Sequence, residues 1–318
     1  MTRYLSEADV DQLLTMPDTL RVVEDAFRAW GEGRAVNHPR RRIRVPQGFL
    51  HVMEAALVDE TVMGLKTYAT VSGGTTFVVQ LFDGDTGELT GLIDADRLGQ
   101  VRTGAASGVA AKHLARGDAR TVGIVGTGYQ AETQLEAVCA VRSIEQVRAF
   151  SRTAESRERF AQTMSERLRV PVDSVEGAED AVRDADVVIT VTTAREPVFE
   201  GQWLKSGACV LAAGSNNVLR REIDSATLER AARIVVDDLD QARTECGELI
   251  AAAERGKVRW EGIHELRQVV VGRVSGRDSA DEITVFESQG VALEDVAAAR
   301  HLLDLAQAQG VGTAIRPG

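Results

Sequence analysis

The first third of the chain changes from helical to β-type spacing of its apolar residues. Apolar positions recur at helical intervals between residues 6 and 33, where Ser6 followed three residues later by Asp9 indicates a helix start. Residues 40–93 are instead rich in β-forming runs, and the Asp-Gly-Asp-Thr-Gly stretch at 83–87 predicts a hairpin. The pattern therefore predicts helices followed by a group of strands.

The rest of the chain alternates between apolar strands and helical segments. A helix rich in small residues is predicted at 94–115, where small side chains let a ligand or another backbone approach closely. The strands predicted after it are 121–125, 146–151, 170–175, 186–193, 208–214, 233–238 and 282–288. Apolar strands separated by helices predict an α/β fold with a parallel sheet covered on both faces. We expect the last helix, at 292–309, to return and pack on the first domain.

Composition narrows the class of protein. The 318 residues are 44% hydrophobic and carry a net charge of −11, which supports a packed core and argues against a nucleic-acid-binding surface. Cys139, Cys209 and Cys246 are widely spaced and the five histidines are scattered, so we expect neither a disulfide framework nor a metal site. No signal sequence or long apolar run is evident, which predicts a cytoplasmic protein without membrane contact.

A glycine-rich loop follows the first strand of the β-α-β series. Gly126, Gly128 and Ala131 form G-x-G-x-x-A between an apolar strand and a helix. In this pattern the first glycine permits a tight turn, the second lets the backbone approach a pyrophosphate, and the small third residue lets helix and strand pack closely. Because strand, loop, helix and second strand occur in that order, we predict a dinucleotide site and favour it over a purely structural turn.

The end of the second strand bears on the choice of cofactor. Sites that prefer NAD usually have Asp or Glu there, bound to the ribose 2′-hydroxyl. Here the strand ends with Ser151, Arg152 and Thr153, and Arg157 follows one turn later. We therefore favour NADP(H), with NAD(H) as the alternative. In the other interpretation Ser151 or Thr153 only caps the next helix while Arg152 faces solvent, and both can hold together.

Basic residues outside the nucleotide segment could bind an anionic substrate. Lys66 lies among apolar residues in a strand, where burial would lower its pKa towards a range useful for proton transfer; an edge-strand lysine pointing to water is the alternative. Arg44, on the same face as Arg42 if pairing is regular, could bind a carboxylate through two hydrogen bonds, and the other arginines at 40–44 are assigned to a solvated face. Arg102 could reach the cofactor phosphates or the substrate.

Several segments resemble the ornithine cyclodeaminase/μ-crystallin family. They are "LFDGDTGELTGLIDADRLGQVRTGAASGVAAKHLA" followed by "VGIVGTGYQA", the lysine strand "GLKTY", "GSNNVLRREID" and "FESQGVALEDVAAA". The resemblance covers nearly the whole chain, and the family includes ornithine and lysine cyclodeaminases, archaeal-type alanine dehydrogenase and cyclic ketimine reductases. It implies a homodimer with two domains in each chain. A Rossmann NAD(P)-binding domain would span 118–290, and 1–117 with 291–318 would form an α+β substrate-binding and dimerisation domain.

The resemblance also implies roles for matched positions. Arg44 would bind the substrate carboxylate, Lys66 would contact that carboxylate or take part in proton transfer, and Glu54 would lie at the pocket edge. Gly290 would close the site, and Thr192 and Thr193 would lie along the nicotinamide half of the cofactor. The residues expected to bind the cofactor are Arg102, Thr103, Gly126, Thr127, Gly128, Tyr129, Gln130, Ser151, Arg152, Thr153, Arg157, Thr192, Thr193 and Ser215.

One catalytic position departs from the cyclodeaminase pattern. Where the cyclodeaminases carry an Asp thought to act as acid or base, this chain has Asn216, the second catalytic candidate beside Lys66. An asparagine amide forms hydrogen bonds but does not exchange a proton near neutral pH. The nearby acids Glu222 and Asp224 are assigned to the next helix. Ring closure with loss of ammonia is therefore less favoured than hydride transfer, which needs a positioned cofactor and a held carboxylate.

The function predicted from these features is NAD(P)(H)-dependent hydride transfer at the Cα–N bond of an amino acid or imine. The enzyme would be an amino-acid dehydrogenase or a ketimine or cyclic imine reductase, with a small amino-acid or imine substrate. The runner-up is an ornithine cyclodeaminase-type lyase that forms proline and ammonia. A third hypothesis is an NADP-binding protein without turnover, against which the joint presence of Lys66, Arg44 and Glu54 counts. A purely structural α/β protein is the least favoured.

Overall fold

The computed structural model describes residues 1–315, which divide into two compact units. Unit 1 comprises Met1–Arg102 with the described residues from Val291 onward, and unit 2 comprises Thr103–Gly290. The first division lies inside the helix α3 (Asp96–Leu114), whereas the sequence analysis placed it after that helix, at 117. The start of α3 belongs to unit 1 because its side chains bond there, as described below.

Unit 1 is built on a seven-stranded sheet. Its strands are β1 (Thr2–Leu5), β2 (Ala35–Val45), β3 (Gly48–Leu57), β4 (Val62–Val71), β5 (Gly74–Asp83), β6 (Leu89–Asp94) and β15 (Thr313–Ile315). They are ordered β15-β1-β6-β5-β4-β3-β2, and β1 with β6 is the parallel pair among antiparallel ones. The helices are α1 (Glu7–Leu13), α2 (Met16–Gly31) and α11 (Ala292–Gln309), which packs on α2 and on β2–β5 as expected.

Local sequence signals explain several of these boundaries. The Ser6 hydroxyl accepts the Asp9 amide while the Asp9 carboxylate accepts the Ser6 amide, so α1 begins with a capping box. The predicted turn joins β5 to β6, where Asp83 Oδ1 accepts the Thr86 amide at 2.7 Å and Gly87 has φ +73°. The strands β1 and β15 were not predicted, because they are short and form by pairing with segments distant in sequence.

Unit 2 contains an eight-stranded sheet in which neighbouring strands run parallel. The strands are β7 (Thr121–Val125), β8 (Gln146–Phe150), β9 (Val172–Ser174), β10 (Val187–Thr190), β11 (Cys209–Ala212), β12 (Ala231–Val236), β13 (Ile263–Glu265) and β14 (Ile283–Glu287). The helices after α3 are α4 (Tyr129–Val141), α5 (Ala154–Leu168), α6 (Ala178–Val182), α7 (Ser225–Arg230), α8 (Leu239–Glu245), α9 (Gly247–Glu254) and α10 (Leu266–Val270), with 3₁₀ turns at Gly201–Trp203 and Trp260–Gly262.

The strand order of unit 2 identifies its ligand-binding edge. The order is β13-β12-β14-β11-β10-β7-β8-β9, with every pair parallel. Read from β9, this is the 3-2-1-4-5 arrangement of a doubly wound sheet, whose connections reverse direction between β7 and β10. Ligands of such sheets bind beside this point, at the carboxyl ends of the strands. The predicted fold class, a Rossmann domain with a second α+β part, is confirmed.

The small residues of α3 serve close packing of backbones. A Cβ at Gly104 would lie 2.4 Å from the Thr133 carbonyl oxygen of α4, so only glycine fits between these helices. The sequence left open whether a ligand or another backbone approaches α3, and at Gly104 it is a backbone. Among residues 1–315, no helix combines the length and the apolar character needed to span a membrane.

Candidate active site

The loop after β7 has the conformation that its first glycine predicts. Gly126 has φ +106°, in the region that favours glycine, and its amide donates to the Phe150 carbonyl at 2.9 Å. A Cβ at Gly126 would lie 2.4 Å from the carbonyl oxygen of Val191, which follows β10. The loop is therefore pressed against the neighbouring strand end, at the point where the strand order reverses.

The residues after Gly126 leave the start of α4 open. Gly128 is the N-cap of α4, and a Cβ there would meet no atom within 4 Å. Tyr129 is exposed, Gln130 is half-buried, and Ala131 is fully buried, as the small third position of the motif requires. A helix N-terminus carries partial positive charge, so the open space beside Gly128 suits a pyrophosphate that approaches the backbone closely.

A cluster of hydroxyl groups lies beside the end of β8. Thr127 Oγ1 is 2.8 Å from Ser151 Oγ and 2.8 Å from Ser156 Oγ. Arg157 extends across the same segment, where its Nη1 donates to the Ser151 carbonyl at 3.3 Å. Three of these residues, Thr127, Ser151 and Arg157, are predicted cofactor ligands, and Ser156 joins them in one cluster of polar donors.

The exposed tip after β8 carries positive charge. Arg152 and Thr153 are exposed, and the first carboxylate beyond the strand is Glu155, in the first turn of α5. Thr153 is the N-cap of α5, yet its side chain makes no capping hydrogen bond. Thr153 therefore occupies the N-cap position without the side-chain hydrogen bond that the capping interpretation requires, and its role as a cofactor ligand stays a prediction.

A buried carboxylate holds the loops that follow β10 and β11. Glu222 is 1% exposed and accepts the amides of Thr192 and of Gly214, the latter at 2.7 Å, and the Thr190 hydroxyl at 3.1 Å. Burial raises the pKa of Glu222 to about 7, although these donors favour its carboxylate. The sequence analysis placed Glu222 in the next helix, but α7 begins only at Ser225.

The other predicted residues at this edge of unit 2 are placed as follows. Thr193 and Asn216 are exposed, and Ser215 is half-buried. Gly290 ends the unit with φ +76°, and its amide donates to the buried Asp237 at 2.6 Å. The roles assigned to these residues from the resemblance stay predictions.

In unit 1, Lys66 is buried in the sheet rather than directed to water. It is 3% exposed, and its Nζ donates to Asp295 Oδ1 at 2.8 Å. The same Nζ lies 5.3 Å from the centre of the Phe77 ring, and a Cβ at Gly99 would come within 2.9 Å of it. Burial lowers the pKa of Lys66 to about 8, with Asp295 opposing this effect and Arg102 adding to it. Lys66 can therefore exchange a proton close to neutral pH.

Arg102 bonds to the same carboxylate as Lys66. Its Nε donates to Asp295 Oδ1 at 2.9 Å, and its Nη1 donates to Glu294 Oε2 at 2.6 Å. Burial opposes the charge of Arg102, but the two carboxylates outweigh burial and raise its pKa. Arg102 thus belongs to the Lys66 cluster of unit 1, and its contact with cofactor phosphates stays a prediction. Thr103, the next residue, begins unit 2.

Arg40 rather than Arg44 lies beside this cluster. Arg40 is 8% exposed, and its Nε lies 3.3 Å from the sulfur of Met53, the cross-strand partner of Lys66. Arg44 is exposed, with its guanidinium 5.8 Å from the ring of Phe49, its cross-strand partner, which lies four positions before Met53 in β3. Four positions along a strand place Phe49 about 13 Å from Met53. The expectation that Arg40 is solvated is wrong, because a register shift between β2 and β3 turns it inward.

Glu54 lies on the opposite face of the sheet from Lys66. Its cross-strand partner is Leu65, and adjacent residues of a strand point to opposite faces. The Glu54 carboxylate instead contacts Arg41 Nη2 at 2.6 Å and His38 Nδ1 at 3.2 Å. The structure therefore does not bring Glu54 to the pocket edge, which corrects the role taken from the resemblance.

A row of rings continues the face that carries Lys66. Tyr68 pairs across strands with His51 and Phe77, stacks on His51 with ring centres 4.0 Å apart, and lies 5.1 Å from Phe77. Burial lowers the pKa of His51 to about 4, helped by Arg42 and Arg40, so its ring is neutral at pH 7. Neutral rings beside cationic groups suit a small organic acid, whose carbon skeleton can lie on the rings.

The fold and these residues define a dinucleotide-binding α/β protein with a second unit that carries a cationic cluster. The chain belongs to the ornithine cyclodeaminase/mu-crystallin family, whose model matches residues 2–310. The resemblance predicted from the sequence is thus confirmed.

Three similar proteins illustrate the range of this family. A Delta(1)-pyrroline-2-carboxylate reductase of Bacillus cereus is 40% identical over 239 residues, which cover 75% of this chain and 73% of that protein. The structure of Thermococcus litoralis Delta(1)-pyrroline-2-carboxylate reductase in complex with NADH and L-proline has a TM-score of 0.95 and 34% identity, covering 99% of this chain and 100% of that one. An archaeal alanine dehydrogenase dimer with bound NAD has a TM-score of 0.93 and 32% identity, covering 99% of both.

The acids of the cluster, Glu294 and Asp295, and its third cation, Arg40, were not predicted from the sequence. Glu294 and Asp295 stand in the first turn of an apolar helix, where acids are common for helix stability alone. Their complete burial was the missing information, and it depends on what packs against α11. A pair of acids next to a run of apolar residues on both sides was the available signal.

The two glycines of the loop predict different effects of the same substitution. Gly126→Ala should lower the free energy of unfolding by about 1–3 kcal/mol, because of its positive φ and the close Val191 carbonyl. Gly128→Ala should leave stability within about 0.5 kcal/mol, because φ is −86° and the position is open. It should nevertheless weaken NADPH binding by about tenfold or more, because the added methyl group occupies the place of the pyrophosphate.

Thermal unfolding of the ligand-free variants and titration of NADPH fluorescence measure these two effects separately. An unchanged Kd for NADPH in Gly128→Ala would contradict a pyrophosphate at this loop. Gly126→Ala is the matched variant, in which the same substitution lowers the stability of the protein.

Proposed function

We propose that this protein is an NAD(P)(H)-dependent oxidoreductase that reduces the C=N bond of a small imino acid, or oxidises the matching amino acid at its Cα–N bond. The observation that carries the proposal is the buried Lys66, which lies among Arg40, Arg102 and Asp295 and whose pKa is lowered by burial to about 8. The open glycine loop of unit 2 supports it by offering a cofactor site. The relatives described above are reductases and dehydrogenases of such compounds.

The residues of unit 1 match the needs of this reaction. A bound dihydronicotinamide would supply a hydride to the imine carbon, and the imine nitrogen must then gain a proton. Lys66 can donate that proton because its pKa is about 8, and Arg40 adds positive charge for the substrate carboxylate. The His51–Tyr68 pair offers a neutral surface for the carbon skeleton. Each group thus has one task that its burial and charge allow.

The first test follows NADPH absorbance with a panel of cyclic imino acids and of 2-oxo acids with ammonia. We expect oxidation of NADPH with at least one of them. Lys66→Met keeps the length of the side chain but removes its charge and proton, and should lower kcat/KM by about 10²–10⁴-fold with the Kd for NADPH unchanged. An unaltered rate in Lys66→Met would contradict the assigned role. Ornithine with catalytic NAD⁺ is the parallel assay, in which proline and ammonia would instead identify a cyclodeaminase.

We also propose that NADP(H) is the preferred cofactor. Arg152 is exposed at the tip after β8, and the nearby Ser151 and Thr127 are hydroxyl donors rather than carboxylates. A cation and two hydroxyl donors can bind a 2′-phosphate. A ribose 2′-hydroxyl is instead usually bound by an acid at the strand end. The similar structures with NADH and NAD show that the family also accepts the other cofactor.

The preference for NADP(H) depends on one exposed arginine. Arg152→Ala should raise the Kd for NADPH by about tenfold, because a charge-assisted hydrogen bond is lost, and should leave the Kd for NADH unchanged. Arg159→Ala, an exposed arginine further along α5, is the matched control and should change neither. Equal effects of Arg152→Ala on both cofactors would show that Arg152 does not contact the 2′-phosphate.

We propose that the chain forms a homodimer through the far ends of β2–β5. Ile43, Val45, Leu50 and Val71 are 60%, 49%, 40% and 48% exposed, and the strand register places them on the face opposite to Lys66. Neighbouring apolar residues with this exposure indicate an interaction surface. The archaeal alanine dehydrogenase described above is a dimer.

Ile43→Arg should convert this dimer to a monomer, because a charge would be buried without a partner. Sedimentation velocity measures the change. Leu219→Arg, at a residue 74% exposed in unit 2, is the control and should leave the dimer intact. A dimer that persists in Ile43→Arg would place the interface elsewhere.

A further inference from the structure

One carboxylate oxygen bonds to both cations that lie deepest in unit 1. Asp295 Oδ1 accepts Lys66 Nζ at 2.8 Å and Arg102 Nε at 2.9 Å. Asp295 is 0% exposed and lies in the first turn of α11, while Lys66 is on β4 and Arg102 is on α3. Asp295 therefore links three elements that come together only in the folded unit.

Asp295 differs from the other groups that face Lys66 in its effect on the charge of the lysine. From β2 comes Arg40 and from α3 comes Arg102, and both cations disfavour the charge on Lys66. From β5 comes the ring of Phe77, at 5.3 Å. Asp295, from α11, is the carboxylate that accepts a hydrogen bond from Lys66 Nζ and favours its charged form.

The environment of the second carboxylate oxygen of Asp295 indicates that this residue does more than stabilise the fold. Within the described residues 1–315, Asp295 Oδ2 is buried and has no hydrogen-bond partner. A buried polar atom without a partner is destabilising, and buried ion clusters often contribute less to stability than apolar residues of similar size. The position is better explained by what the carboxylate does to its neighbours.

The space around the Lys66 ammonium group is also restricted. A Cβ at Gly99 would lie 2.9 Å from Lys66 Nζ, so the absence of a side chain there makes room for the ammonium group. Asp295 Oδ1 then sets its direction, because a hydrogen bond at 2.8 Å fixes the position of the nitrogen. Both the charge and the direction of Lys66 therefore depend on one residue.

We propose that Asp295 is a positioning residue that keeps Lys66 protonated and correctly directed for proton donation to the substrate. Asp295 acts through Lys66, and its effect on catalysis rests on the proposed function of Lys66 as proton donor. Arg102 holds Asp295 in place through the hydrogen bond to the shared oxygen. Removal of the Asp295 charge leaves Lys66 facing two arginines, so Lys66 should lose its proton at lower pH.

The charge of Lys66 can be followed without any substrate. The chain has four lysines, so a protein labelled with ¹³C and ¹⁵N lysine gives few side-chain signals, and the Lys66 signal is the one missing from Lys66→Arg. In the wild-type chain we expect Lys66 to titrate near pH 8. In Asp295→Asn, which keeps the size of the side chain, its midpoint should fall by about 1 pH unit or more. An unchanged midpoint would overturn the proposal.

The matched control is Asp304→Asn, which removes an exposed acid of the same helix that pairs with Arg300. It should leave the Lys66 titration unchanged, and an equal shift in this variant would mean that the effect is not specific to Asp295. Asp295→Ser, which is smaller and also uncharged, makes the same comparison if the asparagine variant does not fold.

Activity then tests whether the titration matters for catalysis. For imine reduction Lys66 must be protonated, so kcat/KM should fall as pH rises through the Lys66 midpoint. In Asp295→Asn this alkaline limb should move to lower pH by the shift seen in the lysine signal, with the Kd for NADPH unchanged. A lysine shift without a shift of the limb would overturn the positioning role.

The two parts of the experiment separate this proposal from the proposed function. If the wild-type chain reduces no imine but the Lys66 midpoint falls in Asp295→Asn, the function is wrong while the control of Lys66 by Asp295 stands. If imines are reduced and Asp295→Asn changes neither midpoint nor limb, the function stands and the role of Asp295 fails.

Discussion

The ion cluster around Asp295 is the interaction on which the arrangement of the candidate site in unit 1 depends. Lys66, Arg102 and Asp295 come from β4, α3 and α11, and the last of these follows the whole of unit 2 in the sequence. Burying charges is costly, and the cost is offset only when hydrogen bonds satisfy the partners. The cluster therefore forms only when α11 has packed on the sheet, and until then Lys66 has no carboxylate beside it. The pairing of Lys66 with Asp295 is therefore completed only when unit 1 has folded.

Unit 2 also has buried acids, which lie at the carboxyl edge of its sheet. Glu222 accepts the amides of Thr192 and Gly214, and Asp237 accepts the amides of Gln289 and Gly290. Burial raises the pKa of both acids to about 7. The groups that favour their charged carboxylate forms are backbone amides and hydroxyl groups, and not cations. The loops at this edge are thus fixed by internal partners, whereas no atom lies within 4 Å of a Cβ placed at Gly128, before α4. That contrast is the reason why the cofactor pyrophosphate is proposed to lie at the start of α4.

The parts of the site that were predictable are those set by neighbours in sequence. The glycine loop is such a case, because Gly126 and Gly128 act through backbone conformation and follow a strand and precede a helix. Burial of Lys66 was also predictable from the apolar residues around it, with an exposed lysine as the alternative. The arginine of β2 was not predictable, because one register shift reverses which of Arg40 and its neighbours faces inward. Glu54 has a different reason: the pairing of β3 with β4 is regular and brings Met53, not Glu54, opposite Lys66, so the Glu54 carboxylate faces away from Lys66.

By itself, the sequence determined the α/β class, the alternation of strands and helices in unit 2, the glycine loop and the family. These features depend on periodicity and on glycine positions that act within a few residues. Only the tertiary structure decided that Asp295 lies beside Lys66, that Arg40 replaces Arg44 next to the cluster, and that Glu222 supports the loops of unit 2. The physical reason is that burial and charge pairing depend on contacts between distant segments. Contacts between distant segments cannot be recognised from the spacing of residues along the chain. A single irregularity in strand pairing also changes which side chains face the cluster.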